Sequence, residues 1–324
     1  MRVLYRPITR VGFTTPSITT ATTVQRCLYS SHHHHHDHHA HPTDAAKSSI
    51  KMSYTLHHPQ SHYKGGDERH EPIIFMHGLF GSKMNNRGIS KMLVKELNRS
   101  VFALDLRNHG ESPHVTPHTY TAMAEDVEHF IKDHRLKHPT LIGHSMGAKV
   151  AMSVALRSPN LIQDIVAVDN APVNAQLGRQ FAQYLQAMTR IENTPIVNAK
   201  EADEILAAYE PSLPIRQFLF TNLLKPTKEN DKFRWRIPIK ILGGALDEMA
   251  AFPFTPGERS FTKPALFVRG TTSKYVADET IPLIGEFFPR FQLKDVEAGH
   301  WLISENPEGF KNVCLEFFRR EKED

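Results

Sequence analysis

A serine between two glycines, Gly143-His144-Ser145-Met146-Gly147, follows the apolar run Thr140–Ile142 and precedes an Ala-rich helical pattern. A serine on a tight turn between strand and helix points its hydroxyl out of the fold, and the glycines let the two elements approach closely. The start of the helix favours negative charge developing there. A serine hydroxyl is a poor nucleophile without a base. In hydrolases with this turn the chain order is Ser, acid, His. Of the 21 histidines, only His300 follows Ser145, in Glu297-Ala298-Gly299-His300-Trp301 after the last strand pattern. The acid must fix the imidazole tautomer and stabilise the imidazolium. Thr271-Thr272-Ser273, after the strand pattern Ala265–Gly270, carries no carboxylate, and Asp247 and Asp278 are poorly placed. Asp169, closing the strand pattern after the nucleophile helix, is the predicted acid; a strand-end Asp capping the next turn is the competing reading. Two backbone N–H groups must meet the oxyanion. Met146 is one expected donor and Leu79, in His77-Gly78-Leu79-Phe80-Gly81, the other.

These residues need a frame. Short β-rich runs at Met52–Leu56, Pro72–Met76, Val101–Leu106, Pro139–Gly143, Ile165–Asp169, Ala265–Gly270 and Phe291–Val296 alternate with helical patterns at Ile89–Leu97, Met123–His134, Ala148–Ser158 and Asp278–Phe288. Buried strands alternating with helices predict an α/β fold, a mostly parallel central sheet with helices on both faces. From about 173 to 260 the rhythm breaks into helices with aromatic and Met positions, among them Phe181, Tyr184, Met188, Phe218 and Phe220. This predicts a helical cap over the carboxyl ends of the strands. The organisation expected is core at 50–172, cap at 173–260 and core again at 261–324.

The 324 residues carry a net charge of +4, but Arg2, Arg6, Arg10 and Arg26 stand in residues 1–31 without one acid. The remaining 35 basic residues balance 35 acidic ones, which gives no bulk basic surface for nucleic acid. Residues 1–31, Arg-bearing and rich in Ser and Thr, are expected to be a mitochondrial presequence, with a tail of chance composition as the alternative. His32–His36, Asp37, His38, His39 and His41 form a low-complexity stretch within 32–49, read as a linker rather than a metal site. No run of 18 apolar residues suggests a transmembrane segment. Two cysteines, Cys27 and Cys314, exclude a disulfide framework.

Taken together, His77-Gly78-Leu79-Phe80-Gly81, Ala103-Leu104-Asp105-Leu106-Arg107-Asn108-His109-Gly110, Gly143–Gly147 and Ala298-Gly299-His300-Trp301 resemble the α/β-hydrolase superfamily. Within it, residues 50–320 are most similar to the yeast mitochondrial alcohol (ethanol) acetyltransferase family and to abhydrolase-domain mitochondrial proteins. The resemblance implies acetyl transfer from acetyl-CoA, as substrate, to a short-chain alcohol, with esterase and thioesterase side activity, no cofactor and no metal. It implies Ser145, Asp169 and His300 as the catalytic set. Two alternatives stay open: a mitochondrial esterase or thioesterase without transfer, and a non-catalytic interaction protein. An epoxide hydrolase is disfavoured, because its nucleophile would be Asp. Lys232, Arg234 and Arg236 are read as a solvated cap surface, with contact to CoA phosphates as the sharper alternative.

Overall fold

The computed structural model describes residues 49–59, 71–175 and 177–320. The expected presequence and nearly all of the His-rich linker lie outside them. Seven strands form one sheet: β1 (Tyr54–His57), β2 (Ile73–Met76), β3 (Val101–Leu104), β4 (Thr140–His144), β5 (Ile165–Val168), β8 (Ala265–Gly270) and β9 (Phe291–Val296). Their spatial order is β1-β3-β2-β4-β5-β8-β9, with β1 antiparallel to β3 and all other neighbours parallel. The strand patterns in the sequence correspond to these seven, with ends shifted by one or two residues. Val101–Leu106, for instance, stops at Leu104, and the carboxylate of Asp105 accepts from the Lys83 and Glu111 N–H groups of the adjoining loops.

Strand β2 explains why the run Ile-Ile-Phe-Met shows no polar alternation. Ile73 and Phe75 face α1 (Arg87–Leu97) and the C-terminal helix α11 (Pro307–Arg320), packing with Ile89, Leu93, Phe310 and Phe317. Ile74 and Met76 face the other side, where α2 (Tyr120–Asp133) and α3 (Met146–Arg157) supply Met123, Val127, Val150 and Met152. Both faces are buried, so both must be apolar. Helix α2 starts where Thr119 accepts a hydrogen bond from the Ala122 N–H, a side-chain N-cap. The Asp278–Phe288 pattern resolves into a 3-10 turn, Asp278–Thr280, and α9 (Ile281–Phe287), whose first turn holds Pro282. A short α10 (Leu302–Glu305) follows β9.

Between β5 and β8 the chain forms α4 (Arg179–Glu192), α5 (Ala199–Ala207), α6 (Leu213–Phe220), α7 (Ile239–Gly244) and α8 (Leu246–Ala250). The expectation of helices alone needs one correction. A ribbon of two-residue strands, β6 (Leu223–Leu224) and β7 (Arg234–Trp235), pairs antiparallel there. It is held by Trp235, whose indole N–H donates to the Met188 carbonyl at 2.8 Å. Arg234 and Lys232 are exposed and Arg236 half-buried on this ribbon.

Lys149 ties the two ends of this inserted segment to α3. Its ammonium is buried and donates to the Val173, Ala250 and Ala251 carbonyls at 2.9, 3.1 and 2.9 Å. It also sits 5.4 Å from the centre of the Tyr120 ring. Among the described residues no carboxylate pairs with it, and burial lowers its pKa to about 8. The unfolded chain therefore binds more protons than the folded one between about pH 8 and the ordinary 10.5, so this group makes stability rise with pH across that window. Lys149→Met should remove that rise. The urea midpoint of the wild type relative to the variant, followed from pH 7.5 upward, is expected to climb above about pH 8; a constant difference would refute it.

Candidate active site

Ser145 lies between β4 and α3 with φ 54° and ψ −112°. Strain of this kind persists only where surrounding structure enforces it. Here the Ser145 N–H donates to the Val168 carbonyl at 2.8 Å, and Asn170 Nδ2 donates to the Ser145 carbonyl at 3.1 Å. The flanking glycines are sterically required. A Cβ on Gly143 would lie 2.0 Å from the Gly147 carbonyl oxygen, and one on Gly147 would lie 2.6 Å from that of Met76.

His300 Nε2 stands 3.0 Å from Ser145 Oγ, and its Nδ1 stands 2.6 Å from Asp169 Oδ2. The imidazole side chain is 13% exposed and the carboxylate fully buried. With Nδ1–H donating to Asp169, Nε2 keeps its lone pair for the serine proton. Asp169 sits one residue beyond β5 with φ 51°, a left-handed conformation that Asp tolerates better than most residues. Its carboxylate accepts from the Gly270 N–H at 3.0 Å and from Ser273 Oγ at 2.5 Å. Gly270 is needed for a second reason: a Cβ there would lie 2.3 Å from the Gly299 carbonyl, so only glycine lets the His300 loop close over β8. The Tyr275 ring stacks on His300 with centroids 4.0 Å apart. The other acids considered do not reach the imidazole. Asp278 pairs with Arg269 at 2.5 Å, and Asp247 opens α8.

The loop His77–Gly81 lies against the nucleophile. A Cβ on Gly78 would be 3.3 Å from that of Ser145. Among the described residues, neither the Leu79 nor the Met146 backbone N–H has a hydrogen-bond partner. Two donors beside a nucleophile, left free, can receive an oxyanion.

Histidines that the sequence reading passed over hold this loop. His77 Nδ1–H donates to the Gly78 carbonyl at 2.8 Å, and its Nε2 accepts the Leu106 N–H at 3.1 Å. His109 Nε2 accepts the Phe80 N–H at 3.1 Å, while its Nδ1–H donates to the Arg107 carbonyl at 3.0 Å. Both rings are buried, which lowers both pKa values and keeps them neutral, as these hydrogen bonds require. Arg107 is fixed by a bidentate pair with Asp126 at 2.6 and 2.8 Å. From the inserted segment, Asn222 Nδ2 donates to the Phe80 carbonyl at 2.8 Å. The oxyanion loop is thus clamped from the sheet side and the cap side.

A cleft of about 650 Å³ opens beside Ser145 rather than over it. Neither Ser145 nor His300 lines it, but their neighbours His144, Trp301 and Gly78 do. No group of three or more His, Cys, Asp or Glu suited to a metal ion occurs among the described residues, and none of their helices is long and apolar enough to cross a membrane.

Comparison with known proteins agrees with this geometry. A family profile described as the alpha/beta hydrolase fold matches residues 71–307. A Saccharomyces cerevisiae protein named "Probable alcohol acetyltransferase" is 44% identical over 80% of this chain and 81% of its own length. A Xenopus laevis protein named "sn-1-specific diacylglycerol lipase ABHD11" is 36% identical over 83% of this chain and 84% of its own. The solved structure titled "Marine microorganism esterase" superposes with a TM-score of 0.74 at 30% identity, covering 83% of this chain and all of that one.

Proposed function

Because the chain belongs to the α/β-hydrolase fold family and is a serine-dependent acyltransferase or hydrolase, we propose that it transfers acetyl groups from acetyl-CoA to an alcohol. The observation that carries the reading is the hydrogen-bonded line from Ser145 Oγ through His300 to Asp169, at 3.0 and 2.6 Å. His300 takes the serine proton as Ser145 attacks the thioester carbonyl. The oxyanion is held by the Leu79 and Met146 N–H groups, and coenzyme A leaves with the proton from His300. His300 then activates an alcohol to give an acetate ester such as ethyl acetate, or water to give acetate. Asp169 keeps Nδ1 protonated throughout. The name of the 44% identical yeast relative supports the choice of acetyl donor and alcohol acceptor.

The partition between ester and acid tests this reading. Purified enzyme with acetyl-CoA and ethanol should form ethyl acetate in proportion to ethanol concentration, at the expense of acetate. Acetate alone at every ethanol concentration would point to the second reading, a plain esterase or thioesterase, which the similarity to the marine esterase favours. A non-catalytic role is disfavoured by the assembled triad and the free oxyanion donors. Lys232, Arg234 and Arg236 do not line the cleft, which supports their reading as cap surface. The four arginines and absence of acid in residues 1–31 support residence in the mitochondrion.

A further inference from the structure

His144, the residue between Gly143 and the nucleophile, has a role the triad does not use. Its Nε2–H donates to the His300 carbonyl at 2.7 Å, which fixes the tautomer and leaves Nδ1 as an acceptor. Nδ1 lies against Gly78, 3.2 Å from where a Cβ would stand, and among the described residues it has no donor. Burial lowers the His144 pKa, so the ring stays neutral. His144 and Gly78 both line the cleft of about 650 Å³. Trp301, Ile303 and Ser304, on the chain just after His300, line it too, as do Met92 of α1 and Ile215 and Phe218 of α6. Phe218 and Trp301 meet with ring centroids 4.6 Å apart, so the cap helix and the His300 loop share one apolar wall.

The residues that follow His300 therefore form part of the cleft's lining, beside the group that exchanges a proton with the alcohol oxygen. We propose that this cleft binds the alcohol half of the reaction, and that the preferred acceptor is an alcohol with an apolar chain of several carbons. The proposal rests on the acyl-transfer reading above. The alcohol O–H gives its proton to His300 Nε2 as the oxygen bonds to the acetyl carbonyl carbon. The bond from that carbon to Ser145 Oγ then breaks, and Ser145 takes the proton back from His300. The chain lies along Met92, Ile215, Phe218 and Trp301, and His144 Nδ1 accepts from a water. A volume of about 650 Å³ is far more than a two-carbon alcohol fills, given the roughly 30 Å³ that one water occupies in the liquid. Each methylene moved from water into such a wall is worth about fourfold in affinity.

The test uses the purified full chain with acetyl-CoA and either ethanol or 1-hexanol, and in parallel the hydrolysis of ethyl and hexyl acetate. The kcat/KM for 1-hexanol is expected to exceed that for ethanol by at least about tenfold, and hexyl acetate to lead ethyl acetate similarly. Met92→Trp on α1 and Ile215→Trp on α6 each put added bulk into the cleft's lining. Each should cut both hexyl-to-ethyl ratios about fivefold or more, with melting temperature checked for each variant. Ratios near one in the wild type, or ratios unchanged in both variants, would overturn the proposal. Failure of every alcohol to give ester would count against the transfer reading instead, and the two acetate hydrolyses would still decide on the cleft.

Discussion

Ser145→Ala should lower kcat for acetyl-CoA turnover, for ester formation and for ester hydrolysis together, by on the order of 10⁴- to 10⁶-fold. In the proposed reaction this hydroxyl forms the acyl bond, and no other serine or cysteine hydroxyl or thiol stands within hydrogen-bond reach of His300 Nε2 among the described residues. Alanine keeps the Cβ, so it keeps the strained φ of 54° that the turn already carries. It also keeps the backbone bonds to Val168 and Asn170. The melting temperature should therefore stay within a degree or two of the wild type, since only one exchangeable hydrogen bond is lost. Residual turnover at a substantial fraction of the wild-type rate in a folded variant would mean that the nucleophile lies elsewhere.

Asp169→Asn should be nearly as damaging, by on the order of 10⁴-fold in kcat. The reason is a proton count. The native carboxylate accepts three hydrogen bonds, from Gly270 N–H, Ser273 Oγ–H and His300 Nδ1–H. An amide whose oxygen stays on the Gly270 N–H turns its NH2 toward Ser273 and His300. The imidazole must then move its proton to Nε2, which faces Ser145 and can no longer act as base. The variant should also lose about 1–3 kcal/mol of stability, because hydrogen bonds to a buried carboxylate become weaker neutral ones and the Ser273 hydroxyl must turn round to accept. A merely structural Asp169 would show the stability loss with kcat nearly intact. A positioning role predicts the reverse weighting, a collapse of kcat with KM changed by no more than a few-fold.

Most of the site was legible because steric and chemical necessity restricts the residue types. The elbow cannot be built without Gly143 and Gly147, whose added Cβ atoms would collide with backbone. His300 stood out as the only imidazole downstream of Ser145, and Asp169 because the loop after β8 offers no carboxylate. That same loop carried information the sequence did not disclose. Ser273 carries no charge to mark it, yet its hydroxyl donates to Asp169. His77 and His109 were likewise opaque. Their partners, Leu106 and Phe80, are each 29 positions away, and nothing local distinguishes such an imidazole from an exposed one. Nothing local to Lys149 marks its role, because its carbonyl partners lie up to 102 residues downstream. The β6–β7 ribbon has two residues per strand, too few for any alternation to register. By contrast the inner strands such as Ile73–Met76 and Ile165–Val168 were readable from apolar runs, since both their faces are covered, while the edge strands β1 and β9 carry polar residues.

A covalent acetyl group at Ser145 is the central intermediate of the proposed reaction. Enzyme mixed with acetyl-CoA, quenched in acid within the first turnovers and digested, should yield the peptide spanning Ser145 in acetylated form. The acetyl group should disappear when ethanol is added before the quench and be recovered as ethyl acetate. An unmodified Ser145 peptide during active turnover, or an acetyl group carried on another residue and discharged to alcohol from there, would contradict it.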